Sequence, residues 1–282
     1  MYNYHNITYK TLYMGQQGGI FMKKIKMFAG ILAGLMLCAA AAGCGGGTGS
    51  GDKKAAEKKE LIVGTNPSFA PFEFTDKKDG KVMGFDIDLI NALAKKAGYE
   101  KVTVKSIAFD GLIPSLESGN IDVSITGMSI TDERKKKVNF TDPYYESGLM
   151  AVVKKDNTAI NGLDDLKGKT IAVQLGTTGA KYAETIEGAK VKTFDSSDLA
   201  CLELKNGGAD AVISDLPVLQ YFLKQGGSQY AKSVGTPKKG DFYGIATAKK
   251  NKDLCDKLNK ALAELKKDGE YQKIYDKWFK AE

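Results

Sequence analysis

Short apolar runs alternate with amphipathic segments along most of the chain. The first run, Leu-Ile-Val-Gly at positions 61–64, predicts a buried strand. Apolar residues then recur at helical spacing from Leu89 to Ala97, with Asp86 as the expected N-terminal cap and Gly98 as the stop. A strand at 102–107, a helix at 110–118 and a strand at 121–126 should follow. Strands that alternate with helices are typical of parallel sheets, so the pattern predicts an α/β fold.

The alternation begins again after Tyr145. We expect strands at 149–154, 170–174, 191–194, 209–213, 230–234 and 242–248, and helices at 178–186, 197–205, 216–224, 252–267 and 271–279. Two stretches, 116–125 and 204–213, share the end of a predicted helix, a glycine that stops it, an aspartate before a buried strand, and a polar residue after that strand. This internal repeat predicts two similar lobes around a cleft. Lobe 1 should comprise 60–147 plus 242–282 and lobe 2 148–241, joined by a two-crossing hinge near Ser147 and Asp241.

The N-terminal residues have a different composition. Residues 22–43 contain a charged start, an apolar run and a small-residue cleavage site, which are typical of an export signal. The apolar run is shorter than the about 20 residues of a transmembrane helix. The tetrapeptide that ends at Cys44 resembles a bacterial lipobox, with Ala41 in place of the usual leucine. We therefore expect a lipoprotein anchored through a diacylated Cys44, with ordinary soluble secretion as the alternative.

Two further segments flank this signal. Residues 1–21 precede it, and we expect them to be an untranslated upstream extension, with Met22 as the true start. Residues 44–59 lack an apolar pattern and should form a flexible tether. The net charge is +7, but four of the basic residues fall within the first 43, which leaves +3 and predicts no nucleic-acid partner.

One arginine follows a predicted strand and a polar turn. Arg134 ends the stretch SITGMSITDER at 124–134, and its guanidinium can hold a carboxylate through two parallel N–H bonds, which a lysine cannot. Asp215 follows the corresponding strand of the second lobe. Ligands of open α/β sheets bind beyond the carboxyl ends of strands, so we expect both residues at the cleft. Alternatively, Arg134 pairs with first-turn acids on a solvated face, and Asp215 caps the next helix.

Seven motifs in order resemble those of the extracytoplasmic family 3 solute-binding proteins, which supply polar amino acids to ABC importers. They are GTNPSFAPFEF at 64–74, GFDIDL at 84–89, ITDER at 130–134, FTDPYY at 140–145, GTT at 176–178, ADAVISD at 209–215 and YDKWF at 275–279. The resemblance covers about residues 60–282. It implies the periplasmic-binding-protein type II fold and a cleft that closes on its ligand.

The resemblance also implies a site for a free L-amino acid. Arg134 would bind the α-carboxylate, together with the backbone N–H groups of Ser129 and Thr178, the latter at a helix start. Asp215 would bind the α-ammonium, helped by the Gly127 carbonyl and the Ser129 hydroxyl. The other expected ligand contacts are Thr126, Phe69 and Phe109, the two rings flanking the aliphatic stem of the ligand.

Asn66 and Gln174 are the residues expected to select the ligand side chain. Asn66 stands where members of the family that bind basic ligands usually carry an acid, and Gln174 should line the opposite wall. Because amides donate and accept without charge, we expect a neutral polar ligand such as glutamine. Arginine or lysine is the main alternative, and cystine or an acidic ligand the next.

No pattern indicates catalysis. The sequence lacks metal-ligand spacing and a nucleophile elbow, and its one histidine is His5, within 1–21. We therefore expect a protein without cofactor that is not an enzyme; a dehydratase of the same fold is the alternative from another class. Cys201 and Cys255 fall in different lobes, and we expect free buried thiols. The expected partners of this extracytoplasmic, monomeric protein are permease subunits of an ABC importer and, through the lipid, the membrane.

Overall fold

The computed structural model describes residues 59–280. The upstream extension 1–21, the export signal 22–43, the lipidation site Cys44 and the tether up to residue 58 lie outside the described residues. Within the described part, no helix is long and apolar enough to cross a membrane.

The strands and helices alternate as the apolar pattern predicts. The strands are β1 Glu60–Thr65, β2 Ser68–Phe69, β3 Glu73–Thr75, β4 Val82–Met83, β5 Lys101–Ser106, β6 Val123–Ser124, β7 Val138–Phe140, β8 Tyr145–Lys154, β9 Thr170–Gln174, β10 Lys190–Phe194, β11 Ala211–Asp215, β12 Ala231–Tyr243 and β13 Ala246–Ala248. The α-helices are α1 Phe85–Lys96, α2 Leu112–Glu117, α3 Asp132–Lys137, α4 Thr178–Glu184, α5 Ser197–Asn206, α6 Leu216–Lys224, α7 Lys252–Lys267 and α8 Glu270–Phe279.

Two five-stranded sheets have the same plan. The first has the strand order β5-β1-β6-β13-β7 and the second the order β10-β9-β11-β8-β12. In each sheet three strands run parallel, β5-β1-β6 and β10-β9-β11, and the other two add antiparallel to this trio or to each other. Helices α1, α7 and α8 pack together beside the first sheet around buried leucines such as Leu93 and Leu258. The expected α/β fold of two similar lobes is confirmed.

The internal repeat at 116–125 and 204–213 makes equivalent hydrogen bonds in the two lobes. Asp122 Oδ2 accepts from the Ile62 N–H at 2.8 Å, and Asp210 Oδ2 accepts from the Thr170 N–H at 2.8 Å. Each aspartate thus ties the start of a central strand to its parallel neighbour. Gly119 and Gly207, the stops of the preceding helices, have φ of 78° and 81°, a left-handed conformation that favours glycine.

The chain passes between the sheets twice. It leaves the first sheet after β7 and returns to it at β13. The single strand predicted at 242–248 is wrong, because residues 242–243 end β12 whereas 246–248 form β13 in the other sheet. The apolar run continues through both strands, so the apolar pattern does not reveal the break. Ser147 and Asp241 are directly opposite each other in the β8 and β12 pair.

Three other expectations need correction. Asp86 does not cap α1, which begins at Phe85; its buried carboxylate instead accepts hydrogen bonds from tertiary partners described below. The helix predicted at 110–118 begins as a 3-10 turn, Phe109–Gly111, before α2. The strand predicted at 121–126 is paired only over β6, since its ladder with β1 ends at Ser124. Cys201 and Cys255 are buried and free.

Candidate ligand-binding site

Arg134 lies at the start of α3 and is buried. The Thr131 hydroxyl caps this helix by accepting from the Arg134 N–H at 3.2 Å. The side chain of Arg134 turns inward and the residue is 7% exposed, whereas Lys135 and Lys136 beside it are exposed. The alternative of a solvated arginine is therefore wrong. Burial lowers the Arg134 pKa from its usual value, and the negative charges of Asp215 and Asp241 act in the opposite direction.

The guanidinium of Arg134 bridges the two lobes. One terminal nitrogen donates to the Ser129 carbonyl at 2.7 Å and the other to the Gly176 carbonyl, from the second lobe, at 3.0 Å. The guanidinium carbon lies 5.2 Å from the centroid of the Phe109 ring. A guanidinium has five N–H donors, so these two bonds leave others for an anionic ligand.

Ser129 presents its backbone to the same place. It forms an isolated antiparallel bridge with Tyr243, but the hydrogen bonds of that bridge are made by its neighbours Met128 and Ile130. The N–H and C=O of Ser129 therefore point away from β12, and the C=O accepts from Arg134. The Ser129 and Thr178 hydroxyls lie 3.4 Å apart across the cleft. As the first residue of α4, Thr178 has an N–H without an intrahelical acceptor.

Asp215 ends β11 and is 5% exposed. It occupies the N-cap position of α6 but makes no capping hydrogen bond through its side chain, so the capping alternative is wrong. Its carboxylate accepts from the Ser147 hydroxyl at 3.5 Å. Burial, followed by the nearby charge of Asp241, raises the pKa of Asp215 to about 8. Such a carboxylate gains from a cationic partner.

Asp241 is a site residue that the sequence analysis missed. It lies on β12, close enough to the Ser129 and Thr178 hydroxyls for both to lower the pKa of its carboxylate. Burial raises its pKa, against the effect of the Arg134 charge. The sequence analysis predicts the hinge near Asp241, but no local pattern indicates that the Asp241 side chain faces the cleft. The direction of this side chain depends on the register of β12 with β8.

Thr126 and Gly127 form the floor of the site. The Thr126 hydroxyl accepts from the Asn66 N–H at 3.0 Å and donates to Glu73 Oε1 at 2.7 Å. Gly127 has φ of 54°, and a Cβ at this position would lie 2.5 Å from Cε1 of Phe69. Only glycine fits so close to that ring without strain.

The amides of Asn66 and Gln174 join the lobes on the far side. Gln174 Nε2 donates to Asn66 Oδ1 at 2.9 Å, and that oxygen also accepts from the Ser68 hydroxyl at 2.6 Å. Gln174 Oε1 accepts from the Ser197 hydroxyl at 3.0 Å. Both amides thus bind protein groups as well as lining the cleft.

The predicted site residues are therefore brought together. Contacts or charge interactions connect all ten of them: Asn66, Phe69, Phe109, Thr126, Gly127, Ser129, Arg134, Gln174, Thr178 and Asp215. The structure offers a cationic group and carboxylates within one cleft, and no group of residues that could hold a metal occurs in the described part of the chain. Two similar α/β lobes around such a cleft are typical of solute-binding proteins.

The chain belongs to the bacterial extracellular solute-binding proteins, family 3, whose family model matches residues 61–281. It is a binding protein and not an enzyme. The arginine-binding periplasmic protein of Mannheimia haemolytica is 41% identical over 79% of this chain and 92% of that protein. A probable histidine-binding protein of Campylobacter jejuni is also 41% identical, over 77% and 84%. The L-cystine-binding protein TcyJ of Escherichia coli is 37% identical, over 81% and 86%.

Solved structures agree with this assignment. An ancestral arginine-binding protein bound to arginine has 51% sequence identity and a TM-score of 0.76, and the match covers 79% of this chain and 99% of that one. An ancestral arginine-binding protein bound to glutamine has 50% identity and a TM-score of 0.74, with the same coverage.

Proposed function

We propose that this protein binds a basic L-amino acid, arginine foremost, and delivers it to the permease of an ABC importer. The likeness to the arginine-bound ancestral protein carries the choice of ligand. Arg134 would bind the α-carboxylate with the Ser129 and Thr178 N–H groups. Asp215 would bind the α-ammonium, with Asp241 as a second nearby carboxylate.

The charges in the cleft support a ligand of net positive charge. Arg134 contributes one positive charge, and Asp215 and Asp241 contribute two negative charges once both are ionised beside a bound cation, so their sum is then negative. Bound arginine, with a net charge of +1, would balance that sum, whereas glutamine would not. The Phe69 and Phe109 rings also suit a guanidinium, because aromatic faces attract cations.

Glutamine is the second candidate. The ancestral arginine-binding protein that was solved with glutamine favours it, as do the uncharged amides of Asn66 and Gln174. Calorimetric titration of the purified protein with arginine, lysine, histidine, glutamine and cystine separates the candidates. We expect arginine to bind most tightly; a tighter complex with glutamine or cystine would overturn the basic-ligand proposal.

We further propose that the two lobes are 60–147 with 242–282, and 148–241, and that they close on the ligand as a hinge. Contacts across the cleft support this, since Arg134 reaches Gly176 and Gln174 reaches Asn66. A ligand that binds Arg134 and Asp215 at once stabilises the closed form. Small-angle scattering should show a smaller radius of gyration on addition of arginine, and an unchanged radius would contradict hinge closure.

The export and anchoring steps rest on sequence alone. We propose that residues 22–43 direct export, that Met22 is the true start, and that Cys44 is lipidated, with 44–59 as a tether. Cys38, the other cysteine of this region, provides the matched control. Labelling of cells with radioactive palmitate should mark the wild-type protein and Cys38→Ala but not Cys44→Ala. Label retained by Cys44→Ala would contradict lipidation at that residue.

A further inference from the structure

Two carboxyl groups lie together beneath the floor of the cleft, at Glu73 on β3 and Asp86 in the first turn of α1. Both residues are 0% exposed, and each carboxyl group acts on the pKa of the other. A hydrogen bond between two carboxyl groups needs a proton, because two ionised carboxylates only repel.

The outer oxygens of the pair contact the ligand-binding segment. Glu73 Oε1 accepts from the Thr126 hydroxyl at 2.7 Å. Asp86 Oδ2 accepts from the Gly127 N–H and from the Tyr144 hydroxyl, both at 2.8 Å. The two acids therefore hold two consecutive residues of the floor from below.

The other oxygens, Glu73 Oε2 and Asp86 Oδ1, are buried and have no hydrogen-bond partner among residues 59–280. Buried polar atoms without a partner are costly, so two of them in adjacent groups need an explanation. One proton between the two carboxyl groups satisfies both atoms.

We propose that Glu73 and Asp86 share one proton, carried by Glu73, and that the pair positions Thr126 and Gly127 for ligand binding. Asp86 is the ionised member because its Oδ2 accepts from two donors, which stabilise a carboxylate, whereas Glu73 accepts from one. The pair places one negative charge beneath the floor of the cleft. The role of this pair in ligand affinity rests on the proposed function, whereas the presence of the shared proton is independent of it.

The pKa directions agree with this geometry. Burial and the charge of Asp86 raise the pKa of Glu73 well above its usual value. Burial raises that of Asp86 to about 6, with the bonds from Gly127 and Tyr144 acting against the rise. The other titratable groups that interact with the pair are the Tyr144 and Tyr271 phenols, which stay neutral because burial raises their pKa values.

The proton should stabilise the fold over a defined pH range. A group whose pKa is raised by folding contributes stability at low pH that is lost as the pH rises through the folded-state pKa. Above pH about 6 the pair holds one proton. A pH above the raised pKa of Glu73 removes it, which should loosen the floor and weaken ligand binding. Glu73→Gln should remove this loss at high pH.

Infrared spectroscopy of the full-length protein at pH 7 tests the proton without any ligand. Asp215, with its pKa raised to about 8, also contributes an acid band at pH 7. We expect a second protonated carboxylic acid band that shifts in D₂O, remains in Asp215→Asn and disappears in Glu73→Gln. A wild-type spectrum without this band, or a band that Glu73→Gln leaves unchanged, would overturn the proposal. Failure of Glu73→Gln to fold would also overturn it, because an amide reproduces both hydrogen bonds of the protonated acid.

Calorimetry with arginine and with glutamine then tests the positioning role. Glu73→Gln should keep the affinity within about twofold of wild type, whereas Asp86→Asn should lower it about tenfold, because the bond from Gly127 loses its ionic character. An equal loss of affinity in both variants, or an unchanged affinity in Asp86→Asn, would overturn the assigned roles. If the wild type binds neither amino acid, the proposed function fails while the infrared result still decides the shared proton.

Discussion

Replacement of Arg134 by lysine keeps the positive charge and removes the planar fork of the guanidinium. The guanidinium donates from its two terminal nitrogens to the carbonyls of Ser129 and Gly176, which belong to different lobes. A lysine ammonium has three donors on one nitrogen and cannot make two parallel bonds to a carboxylate. Arg134→Lys therefore tests the fork and not merely the charge.

The expected loss follows from the bonds. A hydrogen bond to a charged group contributes about 1.5 to 3 kcal/mol. Loss of one of two such bonds to the α-carboxylate should weaken binding about 10- to 150-fold. Arginine and glutamine carry the same α-carboxylate, so the factor should be similar for whichever of them binds.

Calorimetry with arginine and with agmatine, which lacks the carboxylate, isolates the interaction. Arg134→Lys should weaken arginine binding by the stated factor and leave the weak binding of agmatine within about twofold, as a double-mutant cycle requires. Lys136→Ala is the matched control, since it removes an exposed positive charge from the same helix. Equal losses for both ligands, or unchanged arginine affinity, would refute the assignment of Arg134 to the carboxylate.

Three other substitutions test the cleft. Burial raises the Asp215 pKa to about 8, so arginine affinity should increase from pH 7 to 9 as this carboxylate ionises. Asp215→Asn should bind arginine at least about tenfold more weakly and lose this pH dependence. Calorimetry at several pH values measures both effects. Lys181→Ala removes an exposed ion pair with Glu133 across the cleft and should weaken binding less than about threefold in low salt and not at all in high salt. Gly127→Ala should lower thermal stability, with about 1 to 2 kcal/mol from the left-handed backbone alone and more from the contact with Phe69.

The lobes were predictable because their signals are local in the sequence. A helix, a glycine stop and an aspartate before a buried strand recur at Asp122 and Asp210, and each aspartate makes the same bond to its neighbouring strand. Arg134 and Asp215 were predictable for the same reason. Both follow strands of known direction, and the carboxyl ends of parallel strands lie at the same edge of a sheet.

Asp241 was not predictable, because its place depends on pairing between distant segments. It lies opposite Ser147 on β12, and the register of that pair shifts twice along the strand. A shift of one residue would turn the side chain of Asp241 to the other face. Asp86 was misassigned for a similar reason. A cap is a local expectation, but tertiary hydrogen bonds from Gly127 and Tyr144 determine where this carboxylate points.

The identity of the ligand was the weakest prediction, and the structure explains why. The preference for glutamine rested on Asn66 and Gln174 as amides directed at the ligand side chain. They instead bond to each other across the cleft, and Gln174 also bonds to Ser197. Amides engaged in holding the lobes together say little about the charge of a ligand. The carboxylates of Asp215 and Asp241 are more informative, because a buried negative charge needs a positive partner, and a basic amino acid brings one more than a neutral one.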